Sequence, residues 1–433
     1  MEELRFERFT VDAADDLDAR AADWIRACEQ GFYGQDPDEA SIGRSLESKR
    51  ARGSVLTGVY DDAQAPPSLT AVWPVATFEE FAGEITLAPG RSLPAHLISG
   101  VTVRATHRRR GILRRMMTES LDRAQQAGRP IAALTVSEGS IYGRFGFSPA
   151  AFAQTVRVAV RDGLGLRADV RRTLESSGLR VVAVHPRDME AIHDAVVVSF
   201  HSATPGSIDR LYGDRQRVTG RWGGDEGGPV KDLRAYACLA GDGTPLGFAT
   251  AKFSGWKDDP RRLEITDLMA ADPKAELALW EHLGAHDLVG ELTWGGARTD
   301  DALSWALANP RDLRTEKRTD SLWVRVLDVP AVLEARSYAG QGTFRIEVSD
   351  PQGRIEGAWR VDVADGAAAV RADEAPAPDT VSTDAETLAS LVTGAIEPWQ
   401  AAGLGRLRGD ETVLELVRAL WTNEVRPLSA TFF

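Results

Sequence analysis

Cysteine is nearly absent from this chain. Cys28 and Cys238 lie far apart, and neither belongs to a CxxC motif or sits among clustered histidines. That excludes a disulfide framework and a thiolate zinc site, and it predicts reduced, structural thiols. No run of about 18 apolar residues occurs, so no membrane span is expected. The opening MEELRFERFT lacks the apolar core of a signal peptide, which predicts a cytoplasmic protein. Basic charge is also in deficit: 51 Lys and Arg face 64 Asp and Glu, a net charge of -13. Such a balance works against nucleic-acid binding, where phosphates are held chiefly by basic neutralisation. It is compatible with attraction of cationic substrates and equally with plain solubility. HExxH, GxSxG and the P-loop are all missing. His282 and His286, four apart, are read as core or surface histidines, and no metal is expected.

Against that acidic background, six arginines crowd between Arg104 and Arg115. Val101 and Val103 alternate as strand residues, whereas Leu113, Met116, Met117, Leu121 and Ala124 recur at helical spacing. The period therefore changes across Arg108-Arg109-Arg110-Gly111, which puts this loop at a helix N-terminus. Unpaired N–H groups and the positive end of the helix dipole favour an anion there, and Gly111 lets it approach the backbone. The alternative for such a charge run is a solvated face. The helix is expected to stop at Gly128 and Pro130, and Ile131 to Val136 reads as a buried strand, pairing in parallel with the strand before the helix.

A length of 433 residues calls for two or three domains. In the first, 1–155, Leu17, Ala21, Trp24, Ile25 and Cys28 form one helical face. Strand signals follow at Val55 to Tyr60, Leu69 to Phe78, Ile85 to Leu87 and His96 to Val103, as in an antiparallel meander. In the second, 156–310, the order strand, turn, strand, strand, helix repeats from Tyr236 to the helix after Pro273. Its strand-to-helix junction is acidic, with Asp272 as N-cap, and would repel pyrophosphate. The glycine-rich stretch Asp214 to Pro229 reads as a surface loop, with an active-site lid as the alternative. The third, 311–433, alternates as strands at Leu322 to Leu327, Phe344 to Val348, Ala358 to Val363 and Ala368 to Val370. A Pro/Ala linker at Ala375 to Pro378 follows, then a helix with a capping box at Thr383-Asp384-Ala385-Glu386. The chain closes on Phe432 and Phe433, expected to dock or simply to pack.

Arg108-Arg109-Arg110-Gly111-Ile112-Leu113 resembles the Arg/Gln-x-x-Gly-x-Gly/Ala signature of GCN5-related N-acetyltransferases, departing at Leu113. The longer VTVRATHRRRGILRRM, with SEGSIYGRFGF after it, resembles a narrower group, the enhanced intracellular survival family. The resemblance covers the whole chain. It implies an α+β architecture of tandem acetyltransferase folds, with mixed, mainly antiparallel sheets and a degenerate second copy, followed by a sterol carrier protein-like domain. It further implies that acetyl-CoA lies along Val101, Thr102 and Val103. Its pyrophosphate would be held by Arg109, Arg110, Gly111, Ile112, Leu113 and Arg114, with Arg108 also binding the cofactor, and Ser137 and Glu138 would line it. By the same resemblance Tyr142 is the proton donor and the terminal carboxylate of Phe433 the base. The residues alone allow a helix cap at Ser137 and a core aromatic at Tyr142. The implied acceptor is a primary amine on an aminoglycoside, a polyamine or a lysine side chain, and the implied assembly is a homohexamer. The rival reading is a non-catalytic CoA sensor or lipid-binding protein on the same folds.

Overall fold

The computed structural model describes residues 4–11, 19–63, 67–69, 72–160, 163–224, 227–421, 423 and 425–433. Leu17 and the middle of the turn from Asp61 to Pro67 lie outside them. The chain begins with β1 (Arg5–Thr10), α1 (Ala19–Gly31), α2 (Glu39–Ala51) and β2 (Val55–Tyr60). The hairpin β3 (Ala76–Ala88) and β4 (Arg91–Val103) leads to α3 (Ile112–Gln126), β5 (Ile131–Leu134) and β6 (Ser148–Ala159). A second series opens with α4 (Ala168–Glu175), β7 (Arg180–Val184), α5 (Glu190–Ala203) and α6 (Tyr212–Val218). It continues through β8 (Arg234–Leu239), β9 (Pro245–Phe253), β10 (Arg262–Ala270), α7 (Pro273–Gly284), β11 (Glu291–Ala297), α8 (Leu303–Ala306) and β12 (Leu313–Val326). The last series is α9 (Val329–Glu334), β13 (Gly342–Ser349), β14 (Gly357–Ala364), β15 (Ala367–Ala372) and β16 (Thr380–Asp384). After these come α10 (Ala385–Thr393), α11 (Pro398–Gly403), β17 (Leu407–Arg408) and α12 (Glu411–Leu420).

Twelve strands form one sheet in the order β1-β2-β3-β4-β5-β12-β6-β11-β10-β9-β8-β7. Its parallel pairs among the described residues are β4 with β5 and β10 with β11, one in each copy of the repeat. The long strands β6 and β12 pair antiparallel at the centre and join the copies, because β12 reaches β5 of the first and β6 reaches β11 of the second. The strand expected at Leu322 to Leu327 as part of the third unit is thus the end of β12, in the large sheet. The third unit has its own five-stranded sheet, β15-β14-β13-β16-β17. The expected Pro/Ala linker connects two of these strands, and Asp384 rather than Thr383 caps α10, its carboxylate accepting from the Thr387 N–H at 2.7 Å.

Other departures have local causes. The strand expected from Leu69 starts only at Ala76, since the Trp73 N–H closes a turn onto Leu69 O and Pro74 has no N–H to extend a ladder. From Ala76 to Val103 the chain is one long hairpin instead of several short strands. Asp214 opens no loop: it lies in α6, whose seven residues carry too little apolar periodicity to be recognised. Helix α2 likewise carries little apolar periodicity, with Ile42 and Leu46 its only fully buried apolar side chains.

Helix α3 buries Ile112, Met116, Met117, Leu121 and Ala124 against Val59, Phe78, Ile98 and Leu134 of the sheet. Gly128, at φ 65°, ends it, the Arg129 N–H returning to Ala124 O. The third unit packs through α10, where Ser390 Oγ lies 2.8 Å from Ser148 Oγ. Arg325 of β12 forms a fully buried ion pair with Asp350 in the β13–β14 turn. The Asp350 carboxylate also accepts from the Arg354 and Ile355 N–H groups, so turn and large sheet are fixed together.

Candidate active site

Strand β4 runs beside β5 only where Ala95–Ile98 faces Ile131–Leu134. There the pairing stops, and a cavity of about 430 Å³ opens between Ser99–Val101 and Thr135–Ser137. On its other edge β4 stays paired to β3 as far as Val103, so the β4 backbone keeps one side free for a ligand to pair with. Gly100 sits at the bend with φ 57°, and a Cβ there would meet the Trp24 ring at 2.7 Å. Val101 and Val103 are half-buried and Thr102 is buried.

The loop beyond β4 is anchored from beneath by His107, whose Nε2 lies 2.9 Å from the Asp61 carboxylate. Gly111 is the N-cap of α3 at φ 78°, and no atom lies within 4 Å of where its Cβ would be. Arg109 is also left-handed, at φ 65°. Arg108, Arg109, Arg110 and Arg114 are exposed. None of them is paired with a carboxylate among the described residues, whereas Arg115 is taken by Glu119 at 2.8 Å. Ile112 is buried and Leu113 half-buried, so these two hold the helix to the sheet while the arginines stay out of ion pairs. Guanidiniums without a carboxylate at an open helix N-terminus suit a pyrophosphate.

Tyr142 and Phe433 both line the cavity. Tyr142 is buried against Phe147, the rings edge-to-face at 6.3 Å. Burial, with Glu138 adding to it, pushes its phenol up to about 12. Tyr142 is thus both a core aromatic and a residue of the cavity wall. Phe433 arrives along a strap: the Leu428 N–H donates to Pro205 O, Thr431 Oγ1 to Ile208 O, and Thr135 Oγ1 to Phe433 O. Its ring meets Phe81 edge-on at 5.7 Å. Ser137 lines the cavity, while exposed Glu138 accepts from Ser140 Oγ at 2.9 Å. Phe32, just beyond α1, also lines the cavity, whereas Trp24 and Phe78 are core.

Charged wall residues had no signal of their own among 64 acids. Glu29, at the end of α1, and Asp214 both line the cavity. Asp214 arrives because the Ser207 segment pairs with the end of β3, the Thr86 N–H donating to Ser207 O at 3.0 Å. Deeper in the wall, Glu79 accepts from Lys49 Nζ at 2.7 Å and Arg52 Nε at 3.0 Å. Burial penalises the Glu79 carboxylate, but Lys49 and Arg52 outweigh that and hold it at about 2 against an ordinary 4.5. A depressed carboxyl stabilises the fold above its unfolded pKa and loses that contribution as pH falls through the folded value. About 3 kcal/mol should therefore fade between roughly pH 4.5 and 2. Glu79→Gln is expected to lower the urea midpoint at pH 7 and to remove this part of the acid decline. An unchanged pH slope in the variant would contradict the assignment.

In the second copy the junction after β10 is closed. The Asp272 side chain accepts from the Lys274 N–H at 2.7 Å, and Pro273 occupies the first helical position. A carboxylate therefore occupies the place where the first copy leaves its helix N-terminus open.

Comparison with known proteins agrees with this duplicated architecture. Residues 18–150 and 213–326 each match a family model described as an acetyltransferase (GNAT) domain, and residues 329–429 match a sterol carrier protein domain. An uncharacterized N-acetyltransferase of Streptomyces griseus is 33% identical over 356 residues, covering 81% of this chain and 82% of that protein. N-acetyltransferase Eis of Mycobacterium tuberculosis is 31% identical over 344 residues, 78% of this chain and 81% of Eis. The crystal structure of Eis1 from Mycobacterium abscessus superposes over 100% of both chains, with a TM-score of 0.77 at 21% identity.

Proposed function

The chain belongs to the Eis-like family of GCN5-related N-acetyltransferases, and on that premise we propose that it acetylates a primary amine of a cationic small molecule or lysine side chain. It is an acetyl-CoA-dependent acyltransferase; the acceptor class and the residue roles are our reading. The observation that carries this reading is the meeting of Tyr142, Phe433 and the free edge of β4 in one cavity. Bound acetyl-CoA supplies the activated acetyl thioester. The backbone of Val101 to Val103 would pair with its pantetheine arm, Ser137 would line it, and Arg109 to Arg114 with the first N–H groups of α3 would hold its pyrophosphate.

An acceptor amine of pKa about 10.4 is neutral about once in 2500 at pH 7, a penalty near 4.6 kcal/mol. Asp214 is paired with Arg217 at 2.8 Å and Glu79 with Lys49 and Arg52, which leaves Glu29, with no ion pair among the described residues, and the Phe433 carboxylate to draw a cation in. The Phe433 carboxylate, of ordinary pKa about 3.5, is too weak a base to take the proton outright. It acts by stabilising the positive charge as attack proceeds or by passing the proton through a water. Tyr142, kept protonated by burial, faces the place where the leaving sulfur gains charge. A homo-oligomer in the cytoplasm completes the reading.

The test is release of free thiol from acetyl-CoA across polyamines, aminoglycosides and lysine peptides. Turnover with at least one polycationic amine is expected, with kcat/KM rising with pH as the amine deprotonates. Tight coenzyme binding with no turnover on any amine would favour the sensor reading instead.

A further inference from the structure

A second cavity of about 370 Å³ flanks the first copy where β4 ends, and it shares no lining residue with the one that holds Tyr142. Gln30 and Tyr33 border it from the end of α1, and the turn from Arg104 to Arg108 borders it from below. Arg104 and Arg108 are the charged residues of its described lining, and no carboxylate accompanies them. Arg108 Nε donates to Val103 O at 3.3 Å, and Arg108 is otherwise exposed. Arg104 is half-buried, and its Nη2 is enclosed with no hydrogen-bond acceptor among the described residues. Burial pulls the Arg104 pKa down with no acid opposing it. An enclosed guanidinium lacking a counter-charge is costly, and in a chain of net charge -13 acids to pair with it were plentiful.

We propose that this pocket binds a phosphate monoester, held by the Arg104 and Arg108 guanidiniums. Both guanidiniums border the pocket, and a planar guanidinium offers phosphate oxygens two parallel N–H donors. The pocket lies beside the α3 N-terminus and not on it, since none of Arg109 to Arg114 lines it. The phosphate therefore differs from the pyrophosphate assigned to that helix. It comes from one of two sources: the 3′-phosphate of the coenzyme, which rests on the acetyltransferase reading, or a phosphate carried by the acceptor.

Calorimetry on the full chain separates these. Titrants are CoA, 3′-dephospho-CoA and, on CoA-saturated protein, inorganic phosphate, each against the unsubstituted chain, Arg104→Ala and Arg104→Lys. If the coenzyme is the source, Arg104→Ala weakens CoA about tenfold, leaves 3′-dephospho-CoA unchanged, and Arg104→Lys recovers part of the loss. If the acceptor is the source, both nucleotides bind all three proteins alike, and inorganic phosphate binds the CoA-saturated chain but not Arg104→Ala. Equal losses for both nucleotides, or no change with any probe, overturn the proposal. Should no nucleotide bind at all, the acetyltransferase reading fails, and inorganic phosphate titrated into the free chain and into Arg104→Ala still tests the pocket. Arg104→Lys keeps that test open if Arg104→Ala does not fold.

Discussion

Tyr142→Phe is expected to lower kcat about 100-fold while leaving acetyl-CoA affinity within about twofold. The phenol touches no other part of the reading, so its loss should appear at the step where sulfur gains charge. Its elevated pKa, about 12, sharpens what it can do. A thiol of ordinary pKa about 8.5 lies some 3.5 units lower, so complete proton transfer to its thiolate would run uphill by about 5 kcal/mol. Burial in the same cavity raises the thiol as well and narrows that gap. The useful action is thus a hydrogen bond that strengthens as the sulfur leaves, with the proton following late. Phenylalanine keeps the edge-to-face contact with Phe147, so the melting temperature should move by no more than a few degrees. A large loss of stability with unchanged turnover of the folded fraction would return Tyr142 to the core.

The same side chain shows how far sequence reading reaches. The period change at Gly111, the terminator at Gly128 and the parallel pairing of Ile131 to Leu134 were legible because each is a local rule of backbone geometry. The repeat in the second copy was legible for the same reason, as was its acidic junction at Asp272. What could not be read depends on distant segments meeting. Glu79 looks like any acid in a strand until α2 brings Lys49 and Arg52 against it. Asp214 needs the Thr86–Ser207 pairing to reach the cavity. The placing of β12 between β5 and β6 is a choice between two long antiparallel strands that local pattern does not distinguish.

The largest effect is expected at the other end of the chain. Appending four or five residues after Phe433 should reduce kcat/KM about 100- to 1000-fold, because the α-carboxylate becomes a neutral amide. A net negative charge is then lost from the cavity, and the amine keeps its penalty of about 4.6 kcal/mol uncompensated. The strap makes the experiment readable. Leu428 and Thr431 are held by Pro205 and Ile208, and the Phe433 ring rests on Phe81, so these anchors do not depend on the terminal charge. The extended protein should therefore melt close to the original and bind acetyl-CoA normally. Thr135→Val refines the assignment. Thr135 donates to Phe433 O and touches no acceptor in this reading, so it acts as a positioning residue. Its loss should cost about tenfold in kcat with acetyl-CoA KM unchanged, and Thr135→Ser should restore most of it. Full activity in the extended chain, with the fold and coenzyme binding intact, would remove the carboxylate from the chemistry and leave Glu29 and Asp214 as the acids to examine.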